Sequence, residues 1–220
     1  NSAADYDAWV AGTLKFSDPK VQAAFTMAGS ILKNEKYIDV ASIATTSFKE
    51  AGYGVLDQTC FLHRQASFYQ ANWAAAKKDV KVAEDGDVFA FYLPGKDATT
   101  KPLLGGGEFV AAFRQAPEVQ AFQAYLTSAE FSNNKAKATP DGGWLSANSG
   151  LDEANLTKPI DKLSHKLLTD KGVVFRFDGS DLMPSAVGAG TFWKGMTDWV
   201  SLNKSSADVA AAIDASWPKS

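Results

Sequence analysis

The sequence has few of the residues that build covalent cross-links or metal centres. Its 220 residues contain one cysteine, Cys60, and two histidines, His63 and His165. A single cysteine excludes an internal disulfide, and a zinc site needs three or four closely spaced ligands, which this sequence does not set out. We therefore expect no disulfide framework, no bound metal and no other cofactor.

Long apolar runs and an excess of positive charge are also missing. No stretch approaches the roughly 18 apolar residues of a membrane-spanning helix. The 22 Lys and Arg side chains are outnumbered by 25 Asp and Glu, so nucleic acid is not an expected partner. Apolar residues make up 45% of the chain and aromatic residues 12%, which suffices for one large or two small domains.

Helical patterns outnumber strand patterns along the chain. Helix starts are predicted where proline follows a capping residue or a turn, at Pro19, Pro117 and Pro159. Short apolar runs predict strands over residues 59–64, 88–93, 108–113 and 173–177. Strands separated by helical segments predict an α/β fold, a sheet flanked by helices. Residues 94–102 are predicted to form a surface loop, and 139–150 is the most linker-like stretch.

Signals for catalysis are weak. His63 lies in a predicted buried strand and is interpreted as structural, while His165 lies on the polar side of a predicted helix. The chain has no Gly-x-Ser-x-Gly motif, and Gly105-Gly106-Gly107 lacks the Lys-Ser/Thr of a phosphate loop. Asp178 and Asp181 are a conceivable glycosidase pair, although such acids are usually turn or cap residues. No catalytic residue is assigned, and a carbohydrate-active hydrolase remains the alternative.

The strongest signal for binding lies near the end of the chain. Asp181-Leu182-Met183-Pro184 is followed by seven residues, mostly small, and then by Phe192-Trp193. A helical stripe runs through Phe192, Met196, Trp199 and Val200. Trp193 lies about 100° round the helix from Phe192 and is therefore predicted to be exposed. A flat ring presented there suits the apolar face of a sugar.

Two further segments combine aromatic side chains with small or polar residues. Gln65, Ser67 and Phe68 follow the predicted strand 59–64, and Gly106, Gly107 and Glu108 precede Phe109. Glycine leaves backbone amides open to a ligand. Each feature also has an ordinary interpretation, as a core aromatic, a turn or a packing residue. A helical interaction module without a small ligand is therefore a third possibility.

With these three motifs in this order, nearly the whole chain resembles the extracellular solute-binding proteins (family 1) of sugar ABC transporters. Gln65-Ala66 stands where that family usually has a glycine. The resemblance implies a helix-rich, periplasmic-binding-protein-like (type II) fold that lacks most of its first lobe. It implies that Phe68 and Trp193 stack on a sugar, with Gln65 and Ser67 near its hydroxyls, and that Gly106, Gly107 and Glu108 face the cleft.

The resemblance also implies a division into lobes and a place in the cell. Residues 1–91 and 144–220 belong to the second lobe, and residues 92–143 return to the first. The protein is expected to capture a sugar, an α-linked oligosaccharide, without catalysis and to deliver it to membrane permease subunits. The implied location is extracellular or periplasmic, with a lipid anchor on a preceding N-terminal half. That half is absent from this sequence, which is expected to be the C-terminal portion.

Overall fold

The computed structural model describes residues 2–95 and 99–219. Two compact units are formed. Unit 1 combines Asn1–Thr46 with Arg176–Ser220, and unit 2 is Ser47–Phe175. In chain order the helices and strands are α1 (Ala3–Val10), α2 (Pro19–Leu32), α3 (Tyr53–Leu56), α4 (Gln70–Ala76), β1 (Lys101–Gly105), α5 (Pro117–Leu126), α6 (Ala129–Ala138), α7 (Pro159–Thr169), β2 (Val173–Phe177), α8 (Gly179–Leu182), α9 (Trp193–Ser201) and α10 (Ser206–Ala215).

Shorter helical turns complete the secondary structure. They are the 3₁₀ turns Glu50–Gly52, Ser67–Tyr69 and Glu153–Asn155, and a π-helix over Ala186–Phe192. The predicted helix starts are confirmed, because α2, α5 and α7 each begin with the expected proline. The Glu50–Gly52 turn leads directly into α3.

Local side chains cap the N-terminal ends of α1 and α10 in unit 1. The Ser2 hydroxyl accepts the Asp5 backbone N–H, and the Asp5 carboxylate accepts the Ser2 backbone N–H, which makes a reciprocal cap for α1. The Ser205 hydroxyl accepts the Asp208 backbone N–H at 3.0 Å and starts α10. In both caps the partners lie three residues apart in the sequence.

Unit 1 is built around one apolar core. Trp199 of α9, Phe25 of α2 and Ile213 of α10 are buried in it together with Val187 and Met183. Phe25 and Trp199 meet edge to face with ring centroids 5.1 Å apart. Burial of large rings is the dominant stabilising contribution in such a core.

Unit 2 has two smaller cores. The first contains Tyr69, Trp73, Val88 and Ile160, and the second contains Ala136, Leu151 and Leu156. The Ser67–Tyr69 turn and α4 form one continuous helical segment. Its buried side chains form much of the first core.

Three of the four predicted strands are wrong. Among the described residues the sheet consists of β1 and β2. The strand predicted over 173–177 is confirmed as β2. Residues 59–64 and 108–113 are irregular, and 88–93 contributes only a bridge between Val82 and Val88. An apolar run forms a strand only where a neighbouring strand takes up its backbone hydrogen bonds, and these runs have none in the described part.

The predicted fold class is therefore met in part. The chain is rich in helix, as expected, but the described residues carry a small sheet instead of a broad α/β layer. β1 begins within the loop predicted over 94–102, of which residues 96–98 lie outside the described residues. The lobe assignment of residues 1–91, 92–143 and 144–220 stays a prediction.

The linker-like interpretation of residues 139–150 is wrong. Gly142 is buried, and the segment packs against the start of α7 through hydrogen bonds to Asp161. Glycines at Gly142 and Gly143 therefore serve a tight turn inside unit 2.

Candidate functional site

Trp193 is the first residue of α9 and is 72% exposed. The helical stripe beside it is packed inward as predicted, since Trp199 is 1% exposed and Phe192 and Met196 pack against the core of unit 1. The predicted exposure of Trp193 is thus confirmed. Its indole presents a large apolar face to solvent, held by a helix whose opposite side is anchored.

The segment before Trp193 is a π-helix, which the sequence analysis did not foresee. Val187 and Gly188 are buried, and a Cβ at Gly188 would lie well inside contact distance of the Ser180 carbonyl oxygen. Glycine at this position thus permits the close approach to α8. Wide π turns of this kind are frequently found at functional sites.

The second predicted aromatic face, Phe68, belongs to unit 2. Residues 62–66 are irregular, and Phe68 lies in the Ser67–Tyr69 turn that leads into α4. Phe68 is 42% exposed, and its ring meets that of Phe48 edge to face with the ring centroids 6.2 Å apart. Phe68 is therefore available to a ligand although the buried strand expected before it is absent.

The two polar residues expected beside Phe68 differ in their exposure. Gln65 is exposed, and its side-chain Oε1 accepts the Ala66 backbone N–H at 2.9 Å. Ser67 is half-buried, and its carbonyl oxygen accepts the Gln70 side-chain N–H. Gln65, Ser67 and Phe68 lie on one short segment that leads into α4. Their ligand-binding roles stay predictions.

Tyr69 anchors this segment from inside unit 2. It is buried, its hydroxyl donates to the Lys49 carbonyl oxygen, and the same hydroxyl accepts the Gly52 backbone N–H at 3.1 Å. Trp73 adds an indole N–H bond to the Gly52 carbonyl oxygen at 3.0 Å. Burial raises the pKa of Tyr69, which keeps the phenol protonated and able to donate.

A buried carboxylate lies behind the same segment. Asp161, in the first turn of α7, is 2% exposed and accepts the Gln70 side-chain N–H at 2.5 Å. Both of its oxygens lie 3.2 Å from the Gly143 backbone N. Burial raises the pKa of Asp161, although the hydrogen bonds from Gly143 and Gln70 and the charge of Lys158 act in the opposite direction.

The third predicted segment follows β1. Gly106, Gly107 and Glu108 are exposed, and a Cβ at Gly106 would meet nothing within 4 Å among the described atoms. Space therefore does not require glycine at 106. The strand expected over 108–113 is absent, and Phe109 and Phe113 are largely exposed. The cleft-facing role of Gly106, Gly107 and Glu108 stays a prediction.

The acidic pair weighed for hydrolysis has a simpler role in the structure. Asp178 caps α8, accepting the Ser180 backbone N–H at 3.2 Å and the Ser180 hydroxyl at 3.1 Å. Asp181 is exposed within α8. The cap interpretation of Asp178 is confirmed.

His63 packs against a buried ring although the strand predicted around it is absent, and His165 is less exposed than its position on the polar side of the helix indicated. The His63 ring lies 4.8 Å from that of Tyr69, and its buried Nε2 has no hydrogen-bond partner in the described part of the chain. Burial lowers the pKa of His63. The His165 side chain, expected to be solvated, is only 15% exposed, with its Nδ1 3.6 Å from a Glu153 carboxylate oxygen. Packing against neighbouring elements, invisible in the helical pattern, removes it from water.

Residues 2–95 and 99–219 contain no group of three or more His, Cys, Asp or Glu side chains arranged to hold a metal ion. Within the same residues no helix combines the length and the apolar character needed to cross a membrane.

The structure also identifies residues that the sequence analysis missed. Tyr69, Gln70, Gly143 and Asp161 lie next to the predicted ligand residues, in the interior of unit 2. The pair Gly142-Gly143, which precedes the start of α7, was the one sequence feature that pointed to this cluster. A buried acid 18 residues from its glycine partner leaves no local pattern.

Comparison with known proteins gives two curated relatives. The chain is 34% identical over 224 residues to the osmoprotective compounds-binding protein GgtB of Synechocystis, covering 99% of this chain and 50% of the relative. It is 34% identical over 231 residues to the α-glucosides-binding periplasmic protein AglE of Rhizobium meliloti, covering 98% of this chain and 46% of the relative.

The chain thus spans about half the length of these curated relatives. No family model matches it, and no solved structure matches it. Both relatives are named as binding proteins, one for osmoprotective compounds and one for α-glucosides. Similarity at this level over the whole chain agrees with the resemblance of its motifs. The chain belongs to the solute-binding proteins of ABC transporters.

Proposed function

We propose that this chain is the C-terminal portion of a binding protein that captures a sugar for a carbohydrate ABC importer. The carrying observation is the exposure of Trp193 on a helix whose other side is fixed in the core of unit 1. A rigid exposed indole is a suitable stacking surface for the C–H face of a pyranose ring. An α-linked glucose oligosaccharide is the proposed ligand class, supported by the relative from Rhizobium meliloti, which is named an α-glucosides-binding protein.

In this proposal Phe68 provides a second stacking surface. Gln65 and Ser67 supply hydrogen-bonding groups next to it, and Gly106, Gly107 and Glu108 contribute backbone amides and a carboxylate. The cleft between the two lobes of the complete protein closes around the ligand by a hinge motion, and no bond of the sugar is broken. The loaded protein then docks on membrane permease subunits at the periplasmic or extracellular face.

Titration calorimetry with maltotriose tests the stacking role of Trp193. Each stacked ring contributes on the order of 1 kcal/mol beyond its buried area. In the full-length protein, Trp193→Ala is therefore expected to weaken maltotriose binding at least about fivefold, with little change in the unfolding midpoint. The matched control is Leu202→Ala, since Leu202 is another exposed apolar residue, at the opposite end of α9. Equal affinity of Trp193→Ala and wild type contradicts the proposal.

The same titration tests the two-lobe mechanism. The 220 residues alone hold only part of the proposed cleft, so their affinity for maltotriose is expected to be weak or below detection. Equal affinity of the 220-residue chain and the full-length protein would overturn closure of two lobes around the ligand.

A further inference from the structure

Phe68 is held by contacts that come from distant parts of unit 2. A Cβ added to Gly143 would lie 3.0 Å from the Phe68 carbonyl oxygen and 3.6 Å from its Cα, so the Gly143 backbone packs directly on that of Phe68. Gly143 has φ +88, a conformation that favours glycine. The position of the Phe68 backbone therefore depends on the position of the Gly142-Gly143 turn.

Asp161 fixes that turn. Its carboxylate accepts the Gly143 backbone N–H, and a Cβ at Gly142 would lie 2.6 Å from Asp161 Oδ2. Gly142 has φ +74 and is buried against the carboxylate. Hydrogen bonds from backbone N–H groups to a buried carboxylate are strong and directional, because no water is present to take the place of the donors.

The same carboxylate reaches the Phe68 segment from its other side. Gln70 is buried, donates its side-chain N–H to Asp161, and has the Ser67 carbonyl oxygen 3.4 Å from the same nitrogen. Asp161 is thus linked to the residues on both sides of Phe68 and, through Gly143, to Phe68 itself. A single group in α7 determines the backbone from which the Phe68 ring projects.

We propose that Asp161 is a positioning residue that holds Ser67 and Phe68 in the geometry needed to receive a sugar, an inference that rests on the proposed function. Asp161 does not touch the ligand, because it is buried behind the segment. Burial of a carboxylate is costly unless its hydrogen bonds are satisfied. The Gly143 and Gln70 donors meet that requirement. Through them, the position of the carboxylate sets the position of the Phe68 segment at the surface. Small displacements of a binding group cost affinity, so a rigid support of this kind matters.

Hydrogen–deuterium exchange of the full-length protein tests the positioning without any ligand. Asp161→Ala leaves Gln70 and the Gly143 N–H without their buried acceptor and is expected to raise amide exchange across 66–70 about tenfold or more. Asp161→Asn keeps a carbonyl oxygen for Gly143, and the Gln70 amide can turn to pair with the new NH₂ group. Exchange in Asp161→Asn is expected to stay within about threefold of wild type.

Leu156→Ala is the control for general loss of stability. Leu156 is buried in the second core of unit 2, a different cluster from the one that contains Tyr69. Its replacement is expected to lower the unfolding midpoint and to leave exchange across 66–70 unchanged. Unchanged exchange in Asp161→Ala, or an equal increase in Leu156→Ala, would overturn the positioning role.

Titration of the same variants with maltotriose separates this inference from the proposed function. Asp161→Ala is expected to bind maltotriose about tenfold more weakly, and Asp161→Asn to recover most of the affinity. Raised exchange with unaltered affinity overturns the role of Asp161 in binding. If exchange is raised in Asp161→Ala but the wild-type protein does not bind maltotriose, the positioning of Phe68 is supported and the proposed ligand is refuted.

Discussion

Trp193 and Phe68 are both exposed aromatic side chains, but they are held in place by different means. Trp193 is exposed by helix register: residues of α9 on one side enter the core of unit 1, and the indole lies round the helix from them. Phe68 is exposed by tertiary contacts in unit 2, where Tyr69, Gly143 and Asp161 hold its backbone. The arrangement that exposes Trp193 is local in sequence, whereas the one that holds Phe68 joins residues more than 70 positions apart.

The comparison shows why the two sites differ in sensitivity. A side chain placed by helix periodicity tolerates change as long as the opposite face stays buried. A side chain held by a network of buried hydrogen bonds loses its position when any residue of the network is removed, since the remaining residues are left without a hydrogen-bond partner. Substitutions in α9 and around Phe68 therefore distinguish a side chain placed by helix register from one placed by a network of buried hydrogen bonds.

The largest effect is expected within α9 itself. Trp199→Ala removes a fully buried ring and is expected to lower the free energy of unfolding by about 3–5 kcal/mol. Trp193→Ala, six residues away on the exposed side, is expected to change it by less than about 0.5 kcal/mol. Urea denaturation followed by circular dichroism measures both. Similar losses for the two variants would place Trp193 in the core and contradict exposure by register.

An intermediate effect is expected in the π-helix that leads to Trp193. Gly188→Ala drives a methyl group against the Ser180 carbonyl oxygen and is expected to lower the free energy of unfolding by about 1–3 kcal/mol. Gly190→Ala is the matched control, because a Cβ there would lie at an ordinary 3.5 Å from the Ser185 carbonyl oxygen. Thermal unfolding of both variants checks the difference, and equal midpoints would contradict the close approach to α8.

The smallest effect concerns pH and the support of Phe68. His63 lies against Tyr69, and burial lowers its pKa, so the folded state favours the neutral ring. Protons therefore bind more readily to the unfolded chain. Stability from His63 is present above the ordinary pKa of about 6.5 and is lost as pH falls below it. His63→Phe keeps a ring beside Tyr69 and removes the proton site.

Denaturation between pH 8 and 5 measures this contribution. The wild-type free energy of unfolding is expected to fall more steeply below about pH 6.5 than that of His63→Phe. Exchange across 66–70 is expected to rise with acid in the wild type, while amides at the start of α9 are unaffected by His63. Identical pH profiles for the two proteins would remove His63 from the support of Phe68.

Much of the helical structure was predictable from local patterns. Proline after a capping residue marks the start of α2, and Ser205 with Asp208 marks that of α10. Strands were predicted poorly, because an apolar run such as 108–113 becomes a strand only beside a suitable neighbour. The exposure of Trp193 followed from its helical angle. The packed role of Gly142 and Gly143 did not, since the partner Asp161 lies far along the chain.

The sequence by itself determined where α2, α5, α7 and α10 begin and the outward direction of Trp193, since each depends on residues within one or two helical turns. Its motifs also indicated the family of solute-binding proteins, which the comparisons support. Only the tertiary structure decided which apolar runs become strands and how Phe68 is held. Both depend on hydrogen-bond partners brought together by folding, and no spacing in the sequence encodes them.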